Sequence, residues 1–170
     1  PETALLNPQV IPSNQQYYSG NRITMEGVDK REAAYVFSIK KKEKAPVLVN
    51  SSQPLNNLLA EKLAEGLRSQ GLEVGNSGTT NLTLAISTAA VTVEEKTFTY
   101  VTKSKVSLQV IADFQGNKLT KQFNMSSSKE EPGEPTMADL ESTLNQQLGS
   151  VLQQIMADEA LRGYLKGQPS

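Results

Sequence analysis

The fold is decided by the stretch LTLAISTAAVTVEEKTFTYVTKSKVSLQVIADFQGNKLTKQFNM, which spans residues 82–125. Between residues 98 and 114, apolar and polar side chains alternate, a pattern typical of a strand with one buried and one solvated face. We therefore predict that this segment is the middle strand of an antiparallel meander of three strands. The apolar side chains that share its buried face are Phe98, Tyr100, Val106, Leu108, Val110, Ala112 and Phe114.

A reversal at Gly116-Asn117 is predicted to set the register of the last two strands of the meander. Glycine readily adopts the positive φ that two-residue hairpin turns require. A turn at these two residues places Phe114 opposite Leu119 and Val110 opposite Phe123. The apolar side chains of both strands then share one face, so the turn and the alternation support the same register.

The first strand of the meander changes its apolar face midway. A one-residue slip in the alternation explains the change, so we predict a β-bulge or a sharp twist near Ala89-Ala90. The apolar residues before the slip are Leu82, Leu84 and Ile86, and those after it are Val91 and Val93.

The hairpin tip between the first two strands of the meander is polar apart from four side chains. Strands of this length are expected to project beyond the helices that cover them, and a small exposed apolar patch there is a candidate contact surface. The same side chains would also fit a local mini-core, which is the preferred interpretation. The four residues are Val91, Val93, Phe98 and Tyr100.

A leucine stripe at helical spacing predicts a first helix over residues 51–70. Pro54 falls in its first turn, where the missing N–H leaves no hydrogen bond unmade. Short strands are predicted at residues 22–28 and 35–39, before this helix. Because a strand–helix–strand unit makes a right-handed crossover, the first strand should lie in the same sheet as the meander.

A second long helix is predicted to close the domain. Thr136 should cap it, and Asp139 at the third helical position nearly matches a capping box. Its apolar stripe runs from Leu140 to Ile155, and its outer face, residues 145–154, is rich in uncharged amides. Asp158 is the predicted cap of a short last helix.

These patterns predict an α+β fold in β-α-β-β-β-α order, with a mostly antiparallel sheet and two main helices packed on one face. Residues 22–166 should form a single domain, since 170 residues suffice for one core. Residues 1–21 are expected to be an extended tether, although their few apolar side chains could dock on the domain. Residues 167–170 are expected to fray.

Composition narrows the chemistry of the chain. It contains no His and no Cys, which removes the usual general base, the commonest zinc ligands and every thiol nucleophile. A net charge of −1 offers no electrostatic basis for binding nucleic acid. No apolar run reaches membrane-spanning length. We predict no catalytic residue, no metal site and no cofactor.

Asp29 and Arg31 are the one charged pair that we consider as a site. They lie two residues apart at a predicted strand end, so their side chains should point the same way. Arg31 could bind a carboxylate or phosphate group of a ligand. An ion pair between the two is the preferred interpretation, because such pairs are common.

Three short motifs carry a resemblance to a known family. They are GVDKR at residues 27–31, LRSQGLEVG at residues 67–75 and GNKLTK at residues 116–121. With these motifs and its closing helix, the chain resembles the YajG-type family of uncharacterised Gram-negative lipoproteins over residues 22–166. The resemblance implies a signal peptide that ends in a lipid-modified Cys upstream of Pro1. It implies no reaction and no ligand.

The expected function is a non-catalytic, lipid-anchored domain on the periplasmic side of the cell envelope, at the outer membrane. Its partner would be an envelope protein or an envelope polymer, bound through the uncovered sheet face or the hairpin tip. A small-ligand or lipid carrier, with a cavity between helices and sheet, is the alternative. Self-association through the amide-rich face at residues 145–154 is a third interpretation.

Overall fold

The computed structural model of the chain describes residues 2–169 and contains eight strands and three helices among them. In chain order the elements are β1 (Thr3–Ala4), β2 (Arg22–Asp29), β3 (Tyr35–Lys40), β4 (Val47–Ser51), α1 (Leu55–Ser69), β5 (Glu73–Val74), β6 (Thr80–Glu95), β7 (Tyr100–Phe114), β8 (Asn117–Glu131), α2 (Met137–Ala157) and α3 (Glu159–Lys166).

The long strand β6 has two different neighbours in succession along one edge. Its residues 80–86 pair in parallel with β2, and its residues 91–94 pair in parallel with β3. Along the other edge β6 pairs with β7, and β7 pairs in turn with β8, both antiparallel. Residues 87–90 of β6 therefore fall between the ladders of β2 and β3, at a gap in that side of the sheet.

The sheet is mixed, with parallel geometry in four of its seven strand pairings. The expectation of a mostly antiparallel sheet is therefore wrong, although the meander of β6, β7 and β8 is antiparallel. The predicted element order is also wrong, because it has four strands where the structure has eight among residues 2–169. The strands with no counterpart in the sequence analysis are β1, β4 and β5. These strands have two, five and two residues, too short to show a clear alternation.

The turn between β7 and β8 lies one residue earlier than predicted. Phe114 pairs with Asn117, and Gln115 and Gly116 form the turn with φ angles of 50° and 88°. Positive φ at both central residues is the mark of a type I′ hairpin turn. The side-chain carboxylate of Asp113 supports it by accepting the Gly116 N–H at 2.8 Å.

This correction changes the cross-strand partners but not the faces of the strands. Leu108, not Val110, is opposite Phe123, and Ala112 is opposite Leu119. Each partner has moved by two residues, and since side chains alternate with period two, the buried face is preserved. Val106, Leu108, Val110 and Phe123 all contribute to the hydrophobic core.

The predicted irregularity in β6 is present, but at Ser87 and not at Ala89-Ala90. The pairing with β7 shifts between Ile86 and Thr88. Leu84 and Ile86 are buried before the shift, and Ala89 and Val91 after it. The bulge thus keeps one strand in contact with the core along its whole length.

Both predicted long helices are confirmed, and they pack on the sheet and on each other. The first begins at Leu55, later than predicted, because Pro54 is itself the N-cap residue. The second begins with a complete capping box, in which the Asp139 N–H donates to Thr136 Oγ1 at 3.1 Å and the Thr136 N–H donates to Asp139 Oδ2 at 2.8 Å. Asp158 caps α3 through the Leu161 N–H.

Residues 3–11 of the N-terminal segment are extended and pack along the domain. We call this segment the strap. Its first two residues form β1, which pairs with β4. Its alternate side chains Ala4, Leu6 and Pro8 are buried. The sequence of this segment has little periodicity and does not show which groups it contacts, because those groups lie about 140 residues away in α2.

The strap is held by α2 through a repeated set of hydrogen bonds. The backbone N–H groups of Leu5, Asn7 and Ile11 donate to Glu141 Oε2, Asn145 Oδ1 and Gln153 Oε1 at 2.6, 2.8 and 2.9 Å. Two strand residues advance about 6.6 Å and four helix residues about 6 Å, so the two periods match.

Gly149 lies between Asn145 and Gln153 in this series of α2 residues, which we call the ladder, and has no side chain to accept a hydrogen bond. A Cβ there would lie 2.6 Å from the Gln9 carbonyl oxygen, so the glycine permits the close approach of the strap. Two amides of the outer face, Asn145 and Gln153, are thus used within the chain. This observation gives two amides of that face an internal role.

Removing two of the hydrogen bonds between α2 and the strap should release the strap. We expect the double variant Asn145→Ala/Gln153→Ala to lose about 1–3 kcal/mol of unfolding free energy, since each neutral hydrogen bond contributes roughly 0.5–1.5 kcal/mol. Amide hydrogen exchange of residues 5–11 should become faster. The control is Gln146→Ala/Gln154→Ala, two exposed amides of the same helix. Equal exchange of the strap in both double variants would contradict the role assigned to the ladder.

Candidate binding groove on the open sheet face

Asp29 and Arg31 form a bidentate ion pair with each other. Arg31 Nε lies 2.9 Å from Asp29 Oδ1, and Arg31 Nη2 lies 2.8 Å from Asp29 Oδ2. Arg31 Nη1 donates to the carbonyl oxygen of Ala34 at 3.3 Å, and the arginine side chain is only 8% exposed. This geometry is that of an ion pair between the two residues. The guanidinium also holds the loop between β2 and β3 in place through its hydrogen bond to Ala34.

The ion pair makes a prediction about pH. The hydrogen bond from Arg31 lowers the pKa of the Asp29 carboxyl group, so ionised Asp29 stabilises the folded state. We expect Asp29→Asn to lower the unfolding free energy at pH 7 by about 1–3 kcal/mol. That stability is present above the unfolded pKa and lost as pH falls through the depressed folded value.

The difference between wild type and Asp29→Asn should therefore shrink below about pH 4, where the unfolded carboxyl becomes protonated. Urea unfolding of both proteins at several pH values measures it. A difference that stays constant down to about pH 2.5 would show that the carboxylate charge does not stabilise the fold.

The predicted contact surface at the hairpin tip is not a continuous exposed patch. Val91 and Val93 are 0% and 2% exposed, because they lie in the part of β6 that β3 borders and face the core. Tyr100 is half-buried, and its hydroxyl donates to Glu95 Oε2 at 3.1 Å. Phe98 is the exception, with 86% of its surface exposed. Burial of the two valines agrees with the mini-core interpretation.

A larger concave feature lies on the sheet face opposite the helices. Two adjoining pockets of about 650 and 460 Å³ share Thr88 and Ala90 as lining residues. We call them together the open-face groove. Its larger part is lined by β6, β7 and β8, and its smaller part lies at the gap between β2 and β3. The lining residues used below are Lys30, Thr88, Ala90, Thr92, Lys103, Lys105, Ser126 and Ser128.

Two cross-strand rows form the floor of the larger part. In the first row Lys105 of β7 stands between Ala90 and Ser126, and in the second Lys103 stands between Thr92 and Ser128. Each lysine thus has a small side chain on both sides. This contrast in size produces the concavity, and the bulge at Ser87 and the gap at residues 87–90 extend it toward β2.

The larger part of the groove is positively charged. Its lining includes Lys103 and Lys105 and no carboxylate. Within residues 2–169 neither lysine has an ion-pair partner, whereas Lys41, Lys62, Lys96, Lys121 and Lys129 are paired with carboxylates. The lining therefore offers two unpaired ammonium groups to an anionic partner, and the next row toward the hairpin tip carries Glu94 and Glu130.

By the alternation of residues 98–114, Lys103 and Lys105 fall on the solvated face of the middle strand, but the pattern did not mark them as a site. The signal was the alternation of lysine with small residues between 103 and 105, together with the serine run at 126–128. Only the register of three strands shows that these segments, and Thr88 to Thr92, line one depression.

The other pockets have different characters. One of about 770 Å³ lies between the strap and α2 and reflects their docking. Another of about 310 Å³ lies between α2 and the meander, where a carrier would need its cavity. Met125 is the single apolar side chain among its nine lining residues, so this pocket is poorly suited to an acyl chain.

Two searches of residues 2–169 bear on chemistry and membrane insertion. No cluster of three or more acidic, His or Cys side chains that could hold a metal ion occurs in this part of the chain. None of the helices found there combines the length and the apolarity that crossing a bilayer demands.

Solved structures of other proteins share this fold. A crystal structure of a DUF330-family protein from Xanthomonas campestris has a TM-score of 0.68 and 9% sequence identity, covering 99% of this chain and 100% of that one. A crystal structure of an uncharacterised protein has a TM-score of 0.50 and 16% identity, covering 92% and 98%. Rare lipoprotein B from Shewanella oneidensis is less similar, with a TM-score of 0.43 and 12% identity over 75% and 96%.

Comparison with protein families gives a clearer result than these structures, whose low identity supports only the fold. The search of curated proteins produced no significant match. The family described as uncharacterised lipoprotein, however, matches residues 8–166, nearly the whole chain. The resemblance seen in the sequence motifs is thereby confirmed, and the chain belongs to this family of uncharacterised lipoproteins.

Proposed function

We propose that this chain is the folded domain of a non-catalytic, lipid-anchored protein on the periplasmic side of the cell envelope, at the outer membrane. We propose further that it binds an envelope component, either a protein or a polymer, through the open-face groove. Membership in a lipoprotein family supports the anchor. The binding role is carried by one observation, the pair Lys103 and Lys105, which make no ion pair within residues 2–169, in a groove of about 650 Å³.

Two other surfaces of the domain are already used within the chain. The leucine stripes of α1 and α2 are buried in the hydrophobic core. The outer face of α2 carries the strap through Glu141, Asn145 and Gln153. The open sheet face remains as an extended surface with a depression and a charge, which are features that a binding site provides.

Photo-cross-linking in cells tests the proposal. A photoreactive amino acid is placed at Thr92 or Ser128, which are exposed in the groove, in the lipid-anchored protein. Asn57 and Glu61, exposed on α1, serve as control positions. We expect discrete, reproducible adducts from the groove positions and none from α1. A second variant, Ala90→Glu, places a carboxylate beside Lys105 in the groove and should abolish the adducts while leaving thermal unfolding unchanged. Equal adducts from both faces would overturn the proposal.

A further inference from the structure

We infer that the open-face groove binds a linear anionic carbohydrate polymer, with Lys103 and Lys105 contacting its negatively charged groups. This inference rests on the proposed function and names the chemical class of the ligand. It depends on the charge, the hydroxyl content and the shape of the groove.

The charge of the groove is local. The chain as a whole carries a formal charge of −1, so it has no general attraction for polyanions. Lys103 and Lys105 project from the same face of β7, about 7 Å apart along the strand. Two ammonium groups at this spacing, with no carboxylate in the lining of the larger pocket, favour a ligand with repeated negative charges.

The hydroxyl groups beside the lysines suit a carbohydrate. Thr88 and Thr92 lie on one side of the two lysines, and Ser126 and Ser128 on the other. Each hydroxyl can both donate and accept a hydrogen bond, as sugar hydroxyls can. The lining of this larger pocket contains no aromatic side chain, so recognition would depend on charge and hydrogen bonds and not on stacking.

The shape of the groove favours a polymer over a lipid surface. Its two parts join at Thr88 and Ala90, and both Lys30 and Glu32 line the far part, so a chain molecule can follow the groove across the sheet. A bilayer surface is engaged by protruding apolar side chains. The largest apolar side chain in the lining of the larger pocket is that of Ala90, which lies on the groove floor.

Binding of the purified chain to immobilised dextran sulfate tests the inference, with uncharged dextran as the reference. We expect wild type to bind dextran sulfate alone and to be released as salt screens the charges. The variant Lys103→Gln/Lys105→Gln should bind about tenfold more weakly, since exposed charge pairs make modest contributions to binding. Lys118→Gln/Lys166→Gln removes two exposed lysines elsewhere, makes the same change in net charge and should bind like wild type.

Three results would overturn the inference. They are no binding by wild type, an equal loss in both double variants, or binding to phosphatidylglycerol vesicles but not to dextran sulfate. The proposed function fails separately: groove-specific cross-links without polyanion binding would reject the ligand class and retain the groove as the binding surface. Polyanion binding that depends on Lys103 and Lys105, without cross-links in cells, would support the ligand class and reject the groove as the binding surface in the envelope.

Discussion

Replacing Phe37 with alanine is expected to lower the free energy of unfolding by about 3–5 kcal/mol, because it removes a large side chain from a closed core. Phe37 is fully buried, on the strand that borders the second half of β6. A domain of this size has about 5–15 kcal/mol of stability in total, so the variant should lose a large share of it. Urea denaturation followed by circular dichroism measures the loss.

The matched control is Phe98→Ala, which removes the same atoms from the exposed hairpin tip. Phe98 is 86% exposed, so we expect a change within about 0.5 kcal/mol. Similar losses at the two positions would contradict the placement of β3 in the sheet and of Phe98 in solvent.

Replacing Gly27 with valine should be damaging for the opposite reason, because it adds atoms where two backbones meet. A Cβ at this position would lie 2.2 Å from the carbonyl oxygen of Asn56 and 3.0 Å from the Cβ of Ala60, so α1 would have to move off β2. We expect a loss of about 3 kcal/mol, at the upper end for overpacking. The hydrogen bond from Asn56 Nδ2 to the Gly27 carbonyl oxygen, at 3.1 Å, would also be strained.

Gly133→Val provides the control for this substitution. A Cβ at Gly133 has no neighbour within 4 Å, so thermal unfolding of that variant should match wild type. If Gly27→Val also unfolded like wild type, α1 could not lie as close to β2 as the structure places it.

The meander could be predicted because its information is local. Alternation in β7 identifies the buried face without knowledge of any distant residue, and a positive-φ turn joins it to β8. The turn was misplaced by one residue because Gly116 was assigned to the first turn position, whereas Gln115 takes it with a φ of 50°. Because side chains alternate with period two along a strand, a shift of two residues in the pairing leaves Phe114 and Phe123 on the same face.

The end-to-end placement of β2 and β3 and the hydrogen bonds of the strap could not be predicted in the same way. Nothing in residues 22–40 indicates that β2 and β3 lie end to end along one edge of β6, since that arrangement depends on how their connection crosses the sheet. The strap depends on acceptors in α2 about 140 residues away, although the i, i+4 spacing of Glu141, Asn145, Gly149 and Gln153 marks one helix face.

Only part of the candidate site could be identified from the sequence. Asp29 and Arg31 were identified as a pair, and the structure joins them to each other. Val91 and Val93 were placed at a tip that the structure buries, because the position of β3 was not foreseen. Lys103 and Lys105 became a site only once β6 and β8 placed small residues on both sides of them.

Cysteine labelling tests the central claim, that the open face is the surface covered by a ligand in the envelope. The sequence contains no Cys, so Thr92→Cys and Glu61→Cys each introduce the single cysteine of residues 1–170. Both positions are exposed in the isolated domain. We predict that a maleimide labels Thr92→Cys several-fold more slowly in intact envelopes than after purification, while Glu61→Cys reacts at the same rate in both. Equal labelling of Thr92→Cys in envelopes and in solution would contradict the claim.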